Sequence, residues 1–384
     1  MIEIFDEGFA ADPWPVLAEL RDDGGVHRVR TPDGPGAWLV TRYHDVRAGL
    51  LDTRLTTDIR RAAGKDYRGF GVPPAFEALQ AVDADDHARL RGFVAAEMSA
   101  RRLAEWDDLA PSLIQDHVGR IPPGPLDVVA DVALPLPAAV LGELLGLPAS
   151  VRAALLSWAE STLAPDAAPR ARDTLAAMHA VVTATVEGAR GADTVLGRLV
   201  EHRRTGLLTA DELSGLLFYL LFVWYEVLVD LLAGSVLTLL AHVGPRRTSR
   251  SGPGSATVDE LLRLLSPQVL AGPRFARVDL DIGGHVVRTG ETVLLCLAAA
   301  NHDPAVFDEP DAMRQARNPN PHLGLGHGAV SCLGNALVHK VTAAFLAAWF
   351  GRFPATALTA DPAEIRWRSG FRHRGPLTVP VKAA

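Results

Sequence analysis

The chain has 384 residues, of which 48% are hydrophobic and 22% are charged, and its formal net charge is −7. This composition predicts a globular protein with a large core and excludes an intrinsically disordered chain. The sequence has no basic block and no basic stripe with aromatic residues, so it does not predict a nucleic-acid-binding protein. Two cysteines, Cys296 and Cys332, are too few for a disulfide framework, and the N-terminus has no basic-then-apolar leader. We therefore expect a cytoplasmic protein.

The first part of the chain is predicted to mix helices and strands. Residues 12–25 predict a capped helix, and residues 26–41 predict two strands around a turn at Asp33 and Gly34. Periodicity weakens between residues 51 and 86. We expect a long loop there, of the kind that often binds ligands.

Helical periodicity then dominates the chain. The predicted helices lie within residues 87–98, 124–147, 168–190, 192–204, 213–243 and 257–267. Residues 244–257 have almost no apolar side chain and predict a loop. Period-two strands are predicted within residues 274–300, followed by an aperiodic stretch, one strong helix and short C-terminal strands. The fold class expected is mainly α with a small β-rich lobe.

The apolar segment from residue 213 to residue 243 is long enough to raise the possibility of a membrane span. A transmembrane helix needs about 20 mostly apolar residues. Here Glu226 and Asp230 lie in the middle of the segment, and each would cost about 2.5–3.5 kcal/mol at the centre of a bilayer. The segment is therefore predicted to be a helix buried in a protein core, with no membrane contact.

The stretch HLGLGHGAVSCLG, residues 322–334, places Cys332 just before the last strong helix. The helix dipole and free backbone N–H groups at such a position favour a lowered thiol pKa and thiolate character. A small buried hydrophobic cysteine is an equally good interpretation of the residue alone. The two histidines, His322 and His327, do not make a zinc site, because no two-cysteine spacing accompanies them.

This stretch resembles the haem-binding loop of the cytochrome P450 family, whose pattern is Phe-Gly-x-Gly-x-(His/Arg)-x-Cys-x-Gly. Gly326, Gly328, Cys332 and Gly334 match that pattern. Two positions depart from it, because Leu325 replaces the aromatic residue and Val330 replaces the basic one.

Other segments resemble family motifs in the same order along the chain. ELLR matches the Glu-x-x-Arg motif, which assigns Glu260 and Arg263 to the brace behind the haem, and Arg317 resembles the arginine that packs against them. DDHARLR resembles the segment that holds a haem propionate through His87 and Arg91. A further propionate partner by resemblance is Arg274.

The resemblance implies a cytochrome P450 fold, with residues 1–384 forming a single haem domain. It implies haem b, with Cys332 as the iron ligand and with Leu325, Gly326 and Gly328 in the cofactor loop. A thiolate ligand favours cleavage of the O–O bond. The implied activity is a monooxygenase or related oxidoreductase that tailors a small, largely hydrophobic natural product, with a ferredoxin-type protein as electron donor.

The long apolar helix departs from the family motif Ala-Gly-x-(Asp/Glu)-Thr. Its register puts Val223 at the alanine, Trp224 at the glycine, Glu226 at the acid and Val227 at the threonine. In the family the threonine hydroxyl helps to deliver protons to dioxygen, and valine cannot donate a hydrogen bond. Glu226 is left either to relay protons or to play a structural role.

Four interpretations of this departure remain open. A substrate hydroxyl or an ordered water supplies the missing donor, or the enzyme uses peroxide or stops at a substrate radical that couples or desaturates. Alternatively, the haem catalyses a reaction without dioxygen, or the fold serves as a non-catalytic partner of another enzyme. We favour the first two, because a scaffold would not need the cysteine ligand.

The resemblance also places a set of mostly apolar residues around the substrate. They are Phe70, Val72, Phe222, Val223, Leu270, Ala271 and Phe371.

Overall fold

The computed structural model describes residues 1–31, 36–63, 84–163, 171–189, 193–244, 254–368 and 372–384, with the backbone alone for residues 171–175. The predicted turn at Asp33 and Gly34 and most of the predicted loop between residues 51 and 86 lie outside these ranges. Within them the chain is predominantly helical with small sheets, which confirms the predicted fold class.

The helices follow one another along the chain with few long interruptions. In chain order they are α1 (Glu7–Ala11), α2 (Trp14–Asp22), α3 (Tyr43–Leu51), α4 (Ala84–Glu97), α5 (Ala100–Ala104), α6 (Leu109–Gly119), α7 (Pro135–Leu145), α8 (Ala149–Leu163), α9 (Ala171–Gly188), α10 (Val195–Arg204), α11 (Ala210–Phe218), α12 (Trp224–His242), α13 (Ser255–Leu265), α14 (Leu297–Asn301) and α15 (Asn335–Arg352).

Helices α11 and α12 form one continuous element, here called the central helix, Ala210–His242. A π-helical turn, Tyr219–Val223, joins them. The central helix is long and apolar enough to cross a bilayer, but 72% of its most apolar window is buried inside the protein. The apolar sequence is therefore explained by packing against α7, α13 and α15 in the core, as predicted.

The strands form a small lobe beside the helices. They are β1 (Val26–Val29), β2 (Ala37–Val40), β3 (Leu55–Thr56), β4 (Gly124–Asp127), β5 (Arg274–Ala276), β6 (Leu280–Ile282), β7 (His285–Val287), β8 (Thr292–Leu295), β9 (Ala357–Leu358) and β10 (Pro380–Ala383). One sheet has the order β1-β2-β8-β5-β3, in which the β2–β8 pair is parallel. A second sheet has the order β4-β10-β9, and β6 and β7 form a hairpin.

Two predicted boundaries were wrong. Residues Gly124–Asp127, predicted within a helix, form β4 and pair with β10. Gly124 has φ of +130° and Pro125 cannot donate a backbone hydrogen bond, so this segment is extended, and its partner strand lies at the far end of the chain. The predicted strand through residue 300 ends at Leu295, because the backbone turns at Cys296 into α14.

A buried carboxylate on α13 holds the segment that leads to the cysteine loop. Glu260 and Arg263 are both fully buried, and the carboxylate accepts hydrogen bonds from Arg263 Nη2 at 2.9 Å and Nε at 2.8 Å. Arg317 Nε reaches the same carboxylate at 3.0 Å. Burial would raise the pKa of Glu260, but these donors outweigh it and lower the pKa. The structure thus brings together the three residues assigned to this motif.

We predict that Arg263→Met destabilises the fold, because it leaves the Glu260 carboxylate buried with part of its compensation lost. Removing one partner of a buried pair typically costs about 3–5 kcal/mol. The measurement is the midpoint of thermal and chemical unfolding of the holoprotein. The matched control is Arg288→Met, which breaks an exposed ion pair with Asp279 and is expected to change the midpoint little. Equal shifts for both variants would contradict the prediction.

Candidate functional site

The cysteine loop, residues 322–334, is shaped by backbone hydrogen bonds and two glycines. Cys332 N–H donates to Leu325 O at 2.8 Å, and Gly326 N–H donates to Leu323 O at 2.8 Å. Gly326 and Gly328 have φ of +73° and +72°, which favours glycine at both positions. The matched residues of the loop therefore adopt a conformation that depends on their identity.

Cys332 lies in a cavity of about 230 Å³ between the loop and the central helix. Val227 and Val223 line the same cavity from the central helix, and Leu325 lines it from the loop. Burial raises the pKa of the Cys332 thiol, although the Gly334 N–H and the Arg91 charge act in the opposite direction. Of the two interpretations of Cys332 taken alone, burial favours the neutral thiol, because α15 begins only at Asn335 and the apolar lining disfavours a bare anion.

Three basic side chains from distant segments meet beside this cavity. His87 and Arg91 come from α4 and Arg274 comes from β5, and all three line an adjoining cavity of about 750 Å³. Arg91 Nη2 donates to Ser331 O at 2.7 Å, and Arg274 Nη1 donates to Gly272 O at 2.6 Å.

The positive charge of this cluster comes from its two arginines, because His87 is neutral at neutral pH. Burial lowers the pKa of Arg274 to about 10. Burial, followed by the charges of Arg91 and Arg274, lowers the pKa of His87 to about 4. Within the described ranges, neither Arg91 nor Arg274 forms an ion pair with a carboxylate. Such a cluster suits an anionic ligand.

These residues fit haem by their donor chemistry. A thiol suits iron and the buried guanidinium groups suit propionates. Val330, which stands where the family has a basic residue, borders both cavities and leaves this role to the three basic side chains. Trp224 shares the space: atoms of its indole lie 3.1 and 3.2 Å from the position a Cβ atom would take at Gly334. Trp224 also lines the cavity of Cys332, so a ligand held there would contact its side chain.

The acid of the helix motif is already paired. Glu226 Oε2 lies 3.0 Å from His373 Nδ1, and Glu226 Oε1 lies 3.1 Å from Arg368 Nη2. Asp230, one turn further on, accepts from Arg368 Nη2 at 2.6 Å. Burial would raise the pKa of Glu226, but the charges of His373 and Arg368 outweigh it and lower the pKa to about 2. Glu226 is thus held as a carboxylate.

Asp230 behaves in the opposite way. Burial raises its pKa to about 6, Glu226 contributes to the same increase, and the charge of Arg368 offsets only part of it. Gly375 is the residue that lets Asp230 fit, because a Cβ atom there would overlap the Asp230 carboxylate. The four charged groups on the central helix and the C-terminal segment therefore form one closely packed cluster.

The predicted substrate residues have different locations. Val223 and Ala271 line the cavity of Cys332, and Phe222 and Val223 line a third cavity of about 400 Å³. Leu270 is fully buried in the core beside Cys296 and lines none of these three cavities. Phe70, Val72 and Phe371 lie outside the described residues.

Sequence reasoning missed Gln268, Arg368, Arg372 and His373. Gln268, Arg372 and His373 line the 400 Å³ cavity, and Arg368 pairs with both helix carboxylates. A usable signal was present, because positions 366–374 hold five basic residues while α12 carries two acids four positions apart. Tyr225, which follows Trp224 on the central helix, lies in the core, where its hydroxyl donates to Leu134 O.

Comparison with known proteins gives a consistent result along the whole chain. A family model for cytochrome P450 matches residues 255–366. The cytochrome P450 monooxygenase PikC of Streptomyces venezuelae is 32% identical over an alignment covering 98% of this chain and 92% of PikC. A biflaviolin synthase of Streptomyces coelicolor is 32% identical, with 95% of this chain and 92% of the synthase covered. The solved structure of the tirandamycin C-bound P450 monooxygenase TamI has 30% identity and a TM-score of 0.89, with 100% of both chains covered.

We predict that Gly375→Ala destabilises the fold, because the new methyl group overlaps the Asp230 carboxylate and disturbs its pair with Arg368. Overpacking of this kind typically costs about 1–3 kcal/mol. The matched control is Gly351→Ala in α15, where no atom lies within 4 Å of the added carbon. The unfolding midpoint is expected to fall for the first variant and to stay level or rise for the second. A stable Gly375→Ala variant would show that the cluster is loosely packed.

Proposed function

Because this chain belongs to the cytochrome P450 family, we propose that it oxidises a small, largely hydrophobic natural product and delivers protons without a helix hydroxyl. The protein is a haem-thiolate oxidoreductase of the monooxygenase type. One observation carries the finer part of the proposal: Val227 lines the same cavity as Cys332, at the position where the family motif has threonine. A valine side chain there has no proton to give.

When bound, the haem supplies the activation of dioxygen through its thiolate-ligated iron. Cys332 would be its sulfur ligand, held by the hydrogen bond from its own N–H to Leu325 O. His87, Arg91 and Arg274 would hold the propionates, since the two arginines supply positive charge and the neutral imidazole supplies a hydrogen-bond donor beside the same cavity. Gly326 and Gly328 would keep the loop backbone in its left-handed turns.

Proton delivery then has to use groups other than Val227. The Glu226 carboxylate is held by His373 and Arg368, and its low pKa makes it a hydrogen-bond acceptor and not an acid at neutral pH. A substrate hydroxyl or a water molecule in the cavity would supply the donor, or peroxide would replace dioxygen as oxidant. A ferredoxin-type donor and a cytoplasmic location complete the proposal.

A second candidate is a P450-fold protein with non-oxidative haem chemistry, or a non-catalytic partner of a biosynthetic enzyme. One observation favours it: the indole of Trp224 occupies space between the central helix and the cysteine loop, where the family motif has glycine. The retained Cys332 and the buried Glu260–Arg263 pair favour the enzyme.

We predict that the haem-loaded, reduced protein gives the red-shifted carbon monoxide band that marks thiolate ligation. Cys332→Ala should abolish that band, because no other described cysteine borders the cavity. Cys296→Ala is the matched control: Cys296 is fully buried in the core, so its removal should leave the band in place. The haem-thiolate assignment would be rejected if the wild-type protein lacked the band, or if both variants kept it.

We also predict that Val227→Thr improves the coupling of electron use. The new hydroxyl would add a donor in the cavity of Cys332, so the ratio of peroxide released to NADPH oxidised should fall severalfold. The measurement uses a surrogate ferredoxin and ferredoxin reductase. Val229→Thr, which places a hydroxyl in the core of the same helix and away from the cavity, serves as the control and should leave the ratio unchanged. An unchanged ratio for Val227→Thr would contradict the assigned role of position 227.

A further inference from the structure

His373 lies between Glu226 of the central helix and the 400 Å³ cavity. Its Nδ1 lies 3.0 Å from Glu226 Oε2, and its side chain lines the 400 Å³ cavity. The backbone around it is pinned, because Val269 N–H donates to Arg372 O at 2.8 Å and Arg374 N–H donates to Pro267 O at 2.8 Å. The imidazole is thus held by a carboxylate on one nitrogen while its ring faces a cavity.

That cavity adjoins the cavity of Cys332. Both are bordered by the same seven residues, which are Arg91, Tyr219, Val223, Gln268, Gly272, Arg274 and Val330. Glu226 lines only the cavity with His373, whereas Val227 lines only the cavity with Cys332. His373 and Cys332 therefore border two adjoining cavities that share part of their walls.

We propose that His373 is the proton donor that replaces the missing helix hydroxyl, with Glu226 as the positioning residue that orients its imidazole. This inference rests on the proposed function. A histidine whose Nδ1–H donates to a carboxylate presents Nε2 for proton transfer, and histidine is the side chain whose ordinary pKa falls between pH 5 and 8. The arrangement needs no hydroxyl at position 227.

Other groups around the two cavities are less suited to this task. The guanidinium groups of Arg91, Arg274 and Arg372 do not release protons at neutral pH. His87 borders the cavity of His373, but its pKa of about 4 leaves it neutral at neutral pH. Tyr219 borders both cavities and carries a hydroxyl. Tyr219 is accordingly the alternative donor that an experiment has to separate from His373.

The contact between Glu226 and His373 is more than an anchor for the C-terminal segment. Arg368 already ties that segment to the central helix through Asp230 at 2.6 Å, with Asp230 2% exposed. The His373 contact adds a titratable ring that the anchor does not need. Its side chain is 14% exposed, which allows the proton to be replaced from solvent through the cavity.

The proton balance of the overall reaction is complete. Monooxygenation consumes a substrate C–H bond, dioxygen, two electrons from the donor protein and two protons, and yields a hydroxylated product and water. Each proton leaves imidazolium Nε2, the neutral ring keeps its Nδ1–H on the Glu226 carboxylate, and solvent restores the Nε2 proton before the next transfer.

The test uses haem-loaded full-length protein with hydrogen peroxide and guaiacol as probes, because cleavage of peroxide also needs a proton for the leaving oxygen. His373→Gln is expected to lower kcat/KM for peroxide by about 100-fold or more, the scale of a lost general acid. His373→Asn serves as a second variant. His339→Gln is the matched control, because His339 also pairs with a carboxylate, at 2.7 Å to Asp259, yet lines none of the three cavities.

A solvent deuterium isotope effect separates proton transfer from a structural role. The solvent isotope effect on kcat should differ from the wild-type value in His373→Gln and equal it in His339→Gln. Glu226→Gln should lower the rate, and Glu226→Asp should recover part of it, because aspartate keeps a carboxylate for Nδ1. The same variants are compared in NADPH-driven dioxygen reduction with a surrogate ferredoxin and reductase.

The outcomes distinguish a failure of the proposed function from a failure of the role of His373 alone. A wild-type protein without the thiolate-type carbon monoxide band overturns the proposed function and this inference together. A normal band, with His373→Gln within about twofold of wild type in both assays, overturns the role of His373 alone. A large loss in Tyr219→Phe with little loss in His373→Gln likewise overturns it and transfers the role to the phenol. A normal band with the loss confined to His373 and Glu226 supports it.

Discussion

The cysteine loop depends on one group, the Glu260 carboxylate, and on the hydrogen bonds that this group accepts. It is fully buried and collects donors from Arg263 on its own helix and from Arg317 in the segment that precedes the loop. Asn301, whose backbone carbonyl accepts from Arg263, uses its side-chain oxygen to accept from Leu323 N–H at 2.7 Å. One compensated charge thus connects α13, α14 and the start of the loop. Removing a donor acts on the loop as well as on stability, because an unpaired buried charge forces its surroundings to rearrange.

The central helix uses charge in a different way. The two acids of α12, Glu226 and Asp230, share Arg368 but end with opposite protonation tendencies, since Glu226 has a second partner in His373 while Asp230 is more deeply enclosed. The two carboxyl groups therefore have different roles, although they lie only one helical turn apart. The acid nearer the cavity stays ionised and orients its neighbour, and the deeper acid secures the C-terminal segment.

Much of this could be predicted from the sequence, for physical reasons. Helical periodicity located the central helix and α15 because their apolar faces are set by local spacing. The order of the motifs along the chain predicted that Cys332, His87, Arg91 and Arg274 belong to one site. Neither kind of signal reveals pairing between distant segments, so β4 with its partner β10 and the contact of Glu226 with His373 were missed. The state of the Cys332 thiol stayed open for a related reason: the helix dipole can be inferred from the sequence, whereas desolvation by packed side chains cannot.

The two departures in the central helix are best understood together. A tryptophan at position 224 fills space against the cysteine loop, and a valine at position 227 presents only methyl groups to the same cavity. Both changes place bulky, largely apolar side chains on the helix side of this cavity. A proton donor on a side chain suits such a site, because it keeps its position without a solvent network. The donor then has to come from another segment, and the carboxylate-bound ring of His373 lies on such a segment and borders the adjoining cavity.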